Sequence, residues 1–196
     1  MNTLSKDIID KIGNSIIYLL DGKDDGLNKT QILKLLYILE EESVLKYNTP
    51  FFGISFEAWR YGPVNKDIFI EFSEEINILR DYISKETNDQ GTTILKPLRT
   101  QFDDSEFSNN DLAILKFVKT QFASKTATEL VEYTHKINSL WDVTCRKAGL
   151  DALFENNSTN NSNVEIDFSS LLDSVLSQNI YKDSLESKNV FESLKK

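Results

Sequence analysis

Residues 27–47 read LNKTQILKLLYILEEESVLKY and carry the clearest helical periodicity in the chain. Four of their apolar residues recur at the spacing i, i+3, i+4 and i+7 of one helix face, namely Ile32, Leu35, Leu36 and Leu39. Asn28 or Thr30 stands ahead of them, where a short polar side chain can accept a hydrogen bond from the unpaired N–H groups of a first helical turn. The stretch therefore predicts a long helix that begins near residue 28.

The residues before this helix predict a second one. Apolar residues again recur at helical spacing, at Ile8, Ile12, Ile16 and Leu19. The sequence DGKDDG at residues 21–26 then supplies the turn-forming residues that end a helix. We expect a first helix over residues 4–20.

Residues 56–69, FEAWRYGPVNKDIF, predict a strand, a turn and a helix in succession. The residues up to Tyr61 favour a short extended segment, which Gly62 and Pro63 interrupt. Because proline is tolerated in a first helical turn, a new helix is expected to start near Val64 or Asn65. Its apolar residues would be Ile68, Phe69, Phe72, Ile76 and Leu79.

The rest of the first 154 residues predicts more helix and little strand. Residues 84–107 are polar and irregular apart from one short strand in TTILKPL, residues 92–98. Helical spacing returns in three stretches, which begin at Ser108, at a Thr126 or Thr128 cap, and at Trp141. The fold class is therefore mainly α, a single helical domain over residues 1–154 with a small two- or three-stranded β element.

The C-terminal part is expected to differ from this domain. Residues 155–163, ENNSTNNSN, are almost all polar and predict a solvated linker. Residues 164–196 predict a helical extension, with one amphipathic helix from Phe168 to Leu176. Residues 181–196 carry a weaker pattern, which is typical of a segment that frays or orders on a partner.

The charge of the chain bears on its partners. Its 196 residues have a formal net charge of −9, so the average field repels nucleic acid and favours a basic protein surface. The average charge does not exclude a local cationic patch, because four basic residues lie close in sequence: Lys29, Lys34, Arg60 and Lys66. The first 20 residues suit an amphipathic helix rather than a signal peptide, and no run approaches the roughly 18 apolar residues of a membrane span. We expect a cytoplasmic protein.

The sequence contains little that indicates a catalytic or metal-binding site. Cys145 is the only cysteine and His135 the only histidine, which excludes a disulfide within the chain and a metal site built on several such ligands. A Cys145–His135 pair could act as nucleophile and base, but a small buried thiol and a core histidine are the more common arrangement. The acidic run at residues 40–42 is expected to lie on a solvated face. The sequence thus predicts no enzyme, no cofactor and no metal.

The aromatic and basic residues near the Gly-Pro break leave two interpretations. Trp59 and Trp141, each taken alone, are more typical of a core than of a partner anchor. Arg60 stands between two aromatic residues and suits either an internal carboxylate or an acidic group of a partner. The sequence does not choose between these.

Three stretches in order resemble the SocA-like antitoxin family, also called the Panacea domain, which includes phage-associated GepA-like proteins. The first is the helix with Lys34, Leu35, Leu36 and Tyr37, and the second is the turn with Ala58, Trp59, Gly62, Pro63 and Val64. The third is the segment with Leu130, Thr134, His135 and Trp141. The resemblance covers about residues 5–150, and the order of the three elements makes it specific.

The resemblance implies an antitoxin of a toxin-antitoxin system, which neutralises its cognate toxin by direct contact and needs no catalysis. Trp59 to Val64 would form a rigid corner that presents Arg60 and Tyr61 outward, braced by Thr134 and His135. The implied partner-binding or motif residues are Lys34, Leu35, Tyr37, Trp59, Arg60, Tyr61, Gly62, Pro63, Val64, Thr134, His135 and Trp141.

Two other functions stay open beside this one. A proteolytic adaptor would hold the toxin with its domain while the tail after residue 163 engages a protease or chaperone. A winged-helix-like regulator would bind DNA of its own operon, although the helix after Pro63 follows Lys66 with acidic residues and nucleic acid is therefore a disfavoured partner.

Overall fold

A computed structural model describes residues 4–194 of the chain. The predicted domain 1–154 and the predicted extension 164–196 therefore each include a few terminal residues that lie outside the described part. The helices are α1 (Lys6–Leu20), α2 (Lys29–Tyr47), α3 (Lys66–Ser73), α4 (Asn109–Phe122), α5 (Ala127–Thr134), α6 (Leu140–Ala148), α7 (Leu150–Glu155) and α8 (Val175–Leu194). The strands are β1 (Leu27–Asn28), β2 (Glu57–Trp59), β3 (Gly62–Val64), β4 (Ile83–Thr87) and β5 (Thr93–Pro97). The mainly helical class with a small β element is confirmed.

Helix α2 is the central element of the fold. Asn28 is its N-cap, and the cap is reciprocal: the Asn28 side chain accepts from the N–H of Gln31, whose side chain accepts from the N–H of Asn28. Helices α1, α3, α4 and α5 all contact α2, as do β1, β3 and β5. Residues 32–44 of the helix are consequently buried on every side.

The burial of residues 32–44 on α2 overturns the prediction for its acidic run. Glu40, Glu41 and Glu42 are all buried rather than solvated. The Glu40 carboxylate accepts hydrogen bonds from the backbone N–H groups of Phe52 (2.7 Å) and Gly53 (3.3 Å). The carboxyl of Glu41 accepts from the Tyr37 hydroxyl at 2.8 Å, and burial raises the pKa of Glu41 to about 7. Neighbouring elements cover the side of α2 that the local sequence marks as polar.

Strands β1, β5 and β4 form an antiparallel sheet in that order, with β5 in the middle. Strand β5 confirms the strand predicted in residues 92–98. Strand β4 reaches into residues 84–107, which are predicted to be irregular, so that prediction is wrong for residues 84–87. The local sequence ISKET has no alternating apolar pattern, and β4 exists because β5 pairs with it along five residues.

Strands β2 and β3 form a separate two-stranded hairpin in which Glu57 pairs with Val64 and Trp59 with Gly62. The residues after the turn were expected to lead directly into a helix, but they first form β3. Helix α3 then starts at Lys66 with Asn65 as its N-cap. It ends at Ser73, so the prediction that it carries Ile76 and Leu79 is wrong. The Glu71 carboxylate accepts from the N–H groups of residues 77 and 79, which turns the chain back instead.

The chain after α7 runs along the outer edge of β2. Ala58 donates its N–H to the Val164 carbonyl at 2.9 Å, and Ile166 donates to the Phe56 carbonyl at 2.8 Å. Within the segment predicted as a solvated linker, the Asn160 carbonyl accepts from the N–H of Arg60 at 3.0 Å, so this segment also contributes a backbone partner to the hairpin. The division of the chain into domains stays a prediction.

The C-terminal helix differs in its position from the prediction. Instead of one amphipathic helix over residues 168–176, a short 3-10 helix covers Phe168–Leu171 and α8 begins at Val175. The weak pattern of residues 181–194 lies inside α8. Lys188 anchors this helix to the domain by donating to the carbonyls of Pro50 and Phe51, each at 2.9 Å.

Candidate functional site

The candidate site is built on the β2–β3 hairpin, which we call the corner and define as residues 57–64. Its turn consists of Arg60 and Tyr61, and Tyr61 is 61% exposed at the tip. Gly62 follows with a φ of +96°, a conformation that L side chains rarely adopt. The sequence forms this tight turn because glycine supplies the positive φ directly after it.

Gly62 also lies in close contact with three polar side-chain atoms. A Cβ at this position would lie 2.7 Å from Lys34 Nζ, 2.9 Å from Thr134 Oγ1 and 3.0 Å from His135 Nε2. These distances are too short for a carbon atom. The structure therefore brings residues of α2 and the end of α5 against the corner at the one residue without a side chain.

Lys34 is buried beneath the corner. Its ammonium donates to the Pro63 carbonyl at 2.9 Å, and only 2% of the residue is exposed. Burial lowers the pKa of Lys34 to about 7, because the charged form has lost most of its solvation. The contact ties α2 to β3.

His135 and Trp141 form the second support. Their rings stack at a centroid distance of 3.8 Å with an angle of 3° between the planes. Burial, with a smaller contribution from the Lys34 charge, lowers the pKa of His135 to about 4, so the imidazole is neutral at neutral pH. Its Nε2 is buried and makes no hydrogen bond within the described residues.

Two tryptophans complete the support through their indole N–H groups. Trp141 donates to the Trp59 carbonyl at 2.9 Å, which joins α6 to β2. Trp59 donates to the Glu57 carboxylate at 2.8 Å and to the Ser162 carbonyl at 3.1 Å, and its ring packs edge-on against Phe69 of α3. Both tryptophans thus combine partial burial with a specific backbone contact.

Within residues 4–194 Arg60 does not pair with an internal carboxylate, and its pairing with an acidic group of a partner stays a prediction. Its guanidinium donates to the side-chain oxygen of Asn160 at 3.3 Å and lies 5.5 Å from the ring centroid of Tyr61. Its backbone N–H donates to the Asn160 carbonyl at 3.0 Å. The partner inside the chain is therefore an amide, and the guanidinium stays at the surface.

The twelve predicted site residues fall into three groups. Seven converge at the base of the corner: Lys34, Trp59, Gly62, Pro63, Thr134, His135 and Trp141. Arg60 and Tyr61 lie at its turn. Leu35, Tyr37 and Val64 belong to the core, where the Tyr37 ring packs against Phe56 and Phe168.

A groove of about 310 Å³ opens beside the corner. Its lining includes Trp59 and Tyr61 from the corner, Lys29 and Lys34 from α2, and Phe69 from α3. Asn160 also lines the groove, and no sequence signal marked this residue. Lys29 and Phe69 were visible in the sequence as a basic residue and an apolar helix residue, but only the fold places them beside the corner.

Cys145 is poorly suited to the role of a nucleophile. Cys145 is completely buried, and burial followed by the charges of Asp151 and Asp142 raises its pKa to about 12, which disfavours the thiolate. Within residues 4–194 no group of three His, Cys, Asp or Glu residues could hold a metal ion. In the same part of the chain no helix has the length and apolar character needed to cross a membrane.

Comparison with known proteins identifies the family. No curated protein and no solved structure matches the chain. The family model for the SocA-like antitoxin, Panacea domain, matches residues 32–142, which is more than half of the chain. This range runs from α2 through the corner to Trp141, the residue that supports the corner from α6. The chain belongs to the SocA-like antitoxin family with a Panacea domain.

Proposed function

We propose that this protein neutralises a cognate toxin by direct contact, and that the corner and its groove form the contact surface. The observation that most supports this contact surface is the position of Tyr61, which is 61% exposed at the tip of a hairpin whose base is buried. Tyrosine and arginine are enriched among the residues that contribute most of the binding energy in protein–protein interfaces. The antitoxin role of the family supports the same conclusion.

The supports of the corner favour binding because they fix it in advance. Lys34, Trp141 and residues 160–166 hold the hairpin backbone through hydrogen bonds from three separate parts of the chain. A surface that is already ordered loses little conformational entropy when it binds. No covalent chemistry is required for this role, so we propose a protein that is not an enzyme.

The charge of the chain suits this role in the cytoplasm. A net charge of −9 steers a basic partner toward the protein, which raises the association rate at low ionic strength. The same charge weighs against the DNA-binding alternative, since Lys66 of α3 is followed by Asp67 and, at the end of the helix, by the exposed Glu74 and Glu75.

The experiment is co-expression of the full chain with the product of the neighbouring gene. We expect that gene product alone to arrest growth and the wild-type chain to restore it. The double variant Arg60→Ala with Tyr61→Ala should lose both rescue and co-purification with the toxin. The matched control is Asp89→Ala with Gln90→Ala, in the exposed turn between β4 and β5, which should keep both. Equal rescue by the two double variants would contradict the corner as the contact surface.

A second candidate function is the proteolytic adaptor, and exposed apolar residues on α8 favour it. Leu176 and Phe191 on this helix are 70% and 68% exposed, so apolar surface remains available for a protease or chaperone. The test is a stop codon after Asp173, which keeps the segment that pairs with β2. Retained toxin binding with slower toxin turnover supports the adaptor, whereas unchanged turnover contradicts it.

A further inference from the structure

The groove beside the corner combines aromatic walls with positive charge. Trp59, Tyr61 and Phe69 supply the aromatic surface, and Lys29 and Lys34 supply two amines. Its volume of about 310 Å³ lies at the small end of the range of ligand pockets, which suits one or two side chains of a bound segment.

The charge of this groove is opposite to that of the protein as a whole. The chain has 31 acidic and 22 basic residues, yet the lining residues in the described part of the chain include two lysines and no Asp or Glu. The Arg60 guanidinium lies next to Tyr61 at the same rim. A local positive field inside a negative protein is complementary to a carboxylate and not to the basic surface that the net charge attracts.

The two lysines occupy different depths. Lys34 lies at the buried base and uses one of its three donors on the Pro63 carbonyl. Lys29 is half-buried nearer the rim, where its ammonium donates to the Ser73 hydroxyl at 3.2 Å and lies 4.4 Å from the centroid of the Phe69 ring. Burial lowers the pKa of both amines, and for Lys29 the charge of Lys85 adds to this. An incoming carboxylate would offset that desolvation of the ammonium groups.

We propose that the groove binds an Asp or Glu side chain of the partner together with an adjacent apolar side chain. The apolar side chain packs against the aromatic wall that Trp59 and Phe69 form together, and the carboxylate accepts hydrogen bonds from Lys29 and Lys34. This inference rests on the proposed function, since it names the chemistry of the toxin segment that the corner recognises.

The test uses three dipeptides as probes and the full chain labelled with ¹⁵N. The probes are N-acetyl-Leu-Asp amide, its neutral counterpart N-acetyl-Leu-Asn amide, and N-acetyl-Leu-Asn with a free C-terminal carboxylate. Binding is followed by the indole N–H resonance of Trp59. We expect the Asp amide to bind at least tenfold more tightly than the Asn amide. Equal affinities, or tight binding of the free C-terminal carboxylate alone, would overturn the proposal.

Variants then assign the effect to the groove. Lys29→Gln is the main variant, because Lys29 is half-buried and its replacement leaves the core intact, whereas Lys34→Gln carries a risk of misfolding. Lys116→Gln on the exposed surface of α4 removes the same charge without touching the groove. We expect Lys29→Gln to weaken binding of the Asp amide about tenfold and Lys116→Gln to leave it unchanged. Equal effects of the two variants would mean that net charge alone binds the peptide.

Failure of this inference and failure of the proposed function give different results. Where Lys29→Gln rescues growth as well as the wild type and the Arg60/Tyr61 double variant does not, the corner contacts the toxin but the groove takes no carboxylate. Where the wild type rescues no growth although the Asp amide binds selectively, the groove chemistry stands and toxin neutralisation fails.

Discussion

The two β-hairpins of this protein have the same secondary structure but are stabilised in different ways. The β4–β5 hairpin has five paired positions and a turn in which the Asn88 side chain accepts from the N–H groups of Gln90 and Thr92. The β2–β3 hairpin has only three paired positions. Lys34, Trp141 and Asn160, which are distant in sequence, supply its other contacts.

This difference shows how a short hairpin can become a fixed surface. A two-stranded hairpin alone is marginally stable in water, so three paired positions do not define a conformation by themselves. The corner is held in place by contacts with α2, α5, α6 and residues 160–166. The β4–β5 hairpin has a longer ladder of its own, although β1 and α1 also contact it. Its turn at residues 88–91 is exposed, and changes there should therefore stay local.

The largest expected effect is on stability, and it distinguishes alanine substitutions of two glycines, one in each hairpin. Gly62→Ala should destabilise the protein by more than about 3 kcal/mol, because it adds a strained φ and displaces the Lys34 contact with Pro63. Gly91→Ala should cost only about 1 kcal/mol, since its φ is +75° but no atom lies within 4 Å of the added carbon. Urea unfolding of both variants measures the difference. Similar midpoints would show that the corner relaxes easily, contrary to the distances around Gly62.

The second effect concerns the pH dependence of stability. The pKa of Lys34 is about 7 in the folded state and 10.5 when the lysine is solvated, so the unfolded chain binds more protons between these values. The stability contribution of this group therefore rises with pH across that window. Between pH 7 and 8.5 the wild type should gain about 1.5 kcal/mol relative to Lys34→Met. Urea unfolding at both pH values gives this difference, and parallel pH profiles would mean that Lys34 is solvated.

The third effect compares one lost contact in each hairpin. Trp141→Phe keeps an aromatic ring beside His135 but leaves the Trp59 carbonyl without its donor, which should cost about 1–2 kcal/mol. Lys96→Met removes the Lys96–Glu86 ion pair of the β4–β5 hairpin, where Glu86 is largely exposed, and should cost below about 1 kcal/mol. Thermal unfolding of both variants tests the order, and a larger loss for Lys96→Met would reverse the comparison.

The smallest effect is expected at the tip of the corner. The Arg60→Ala, Tyr61→Ala double variant should change the free energy of unfolding by less than about 0.5 kcal/mol, because both side chains lie at the surface. The same double variant should lose toxin rescue. A strong loss of stability would make its growth phenotype uninterpretable and would assign these residues a structural role.

Local sequence patterns predicted several parts of the site. The periodicity of residues 27–47 and the Asn28 cap place Lys34 on a helix. The Gly-Pro pair indicates a break close by, although the turn lies two residues earlier than predicted, at Arg60 and Tyr61. Local patterns could not show that Gly62–Val64 pairs as a strand, because a strand of three residues is defined by its partner. They also gave no reason for Asn160 to contact Arg60, since that contact joins residues 100 positions apart.

The sequence by itself determined the helices with strong periodicity, the presence of a turn next to Gly62 and Pro63, and the family of the protein. These properties depend on residues that are neighbours in the chain. Only the tertiary structure decided that Glu40 to Glu42 are buried, that Lys34 and His135 converge on Gly62, and that a cationic groove opens beside Trp59. The reason is physical: burial and electrostatic environment depend on which distant segments pack together, and local patterns do not encode that choice.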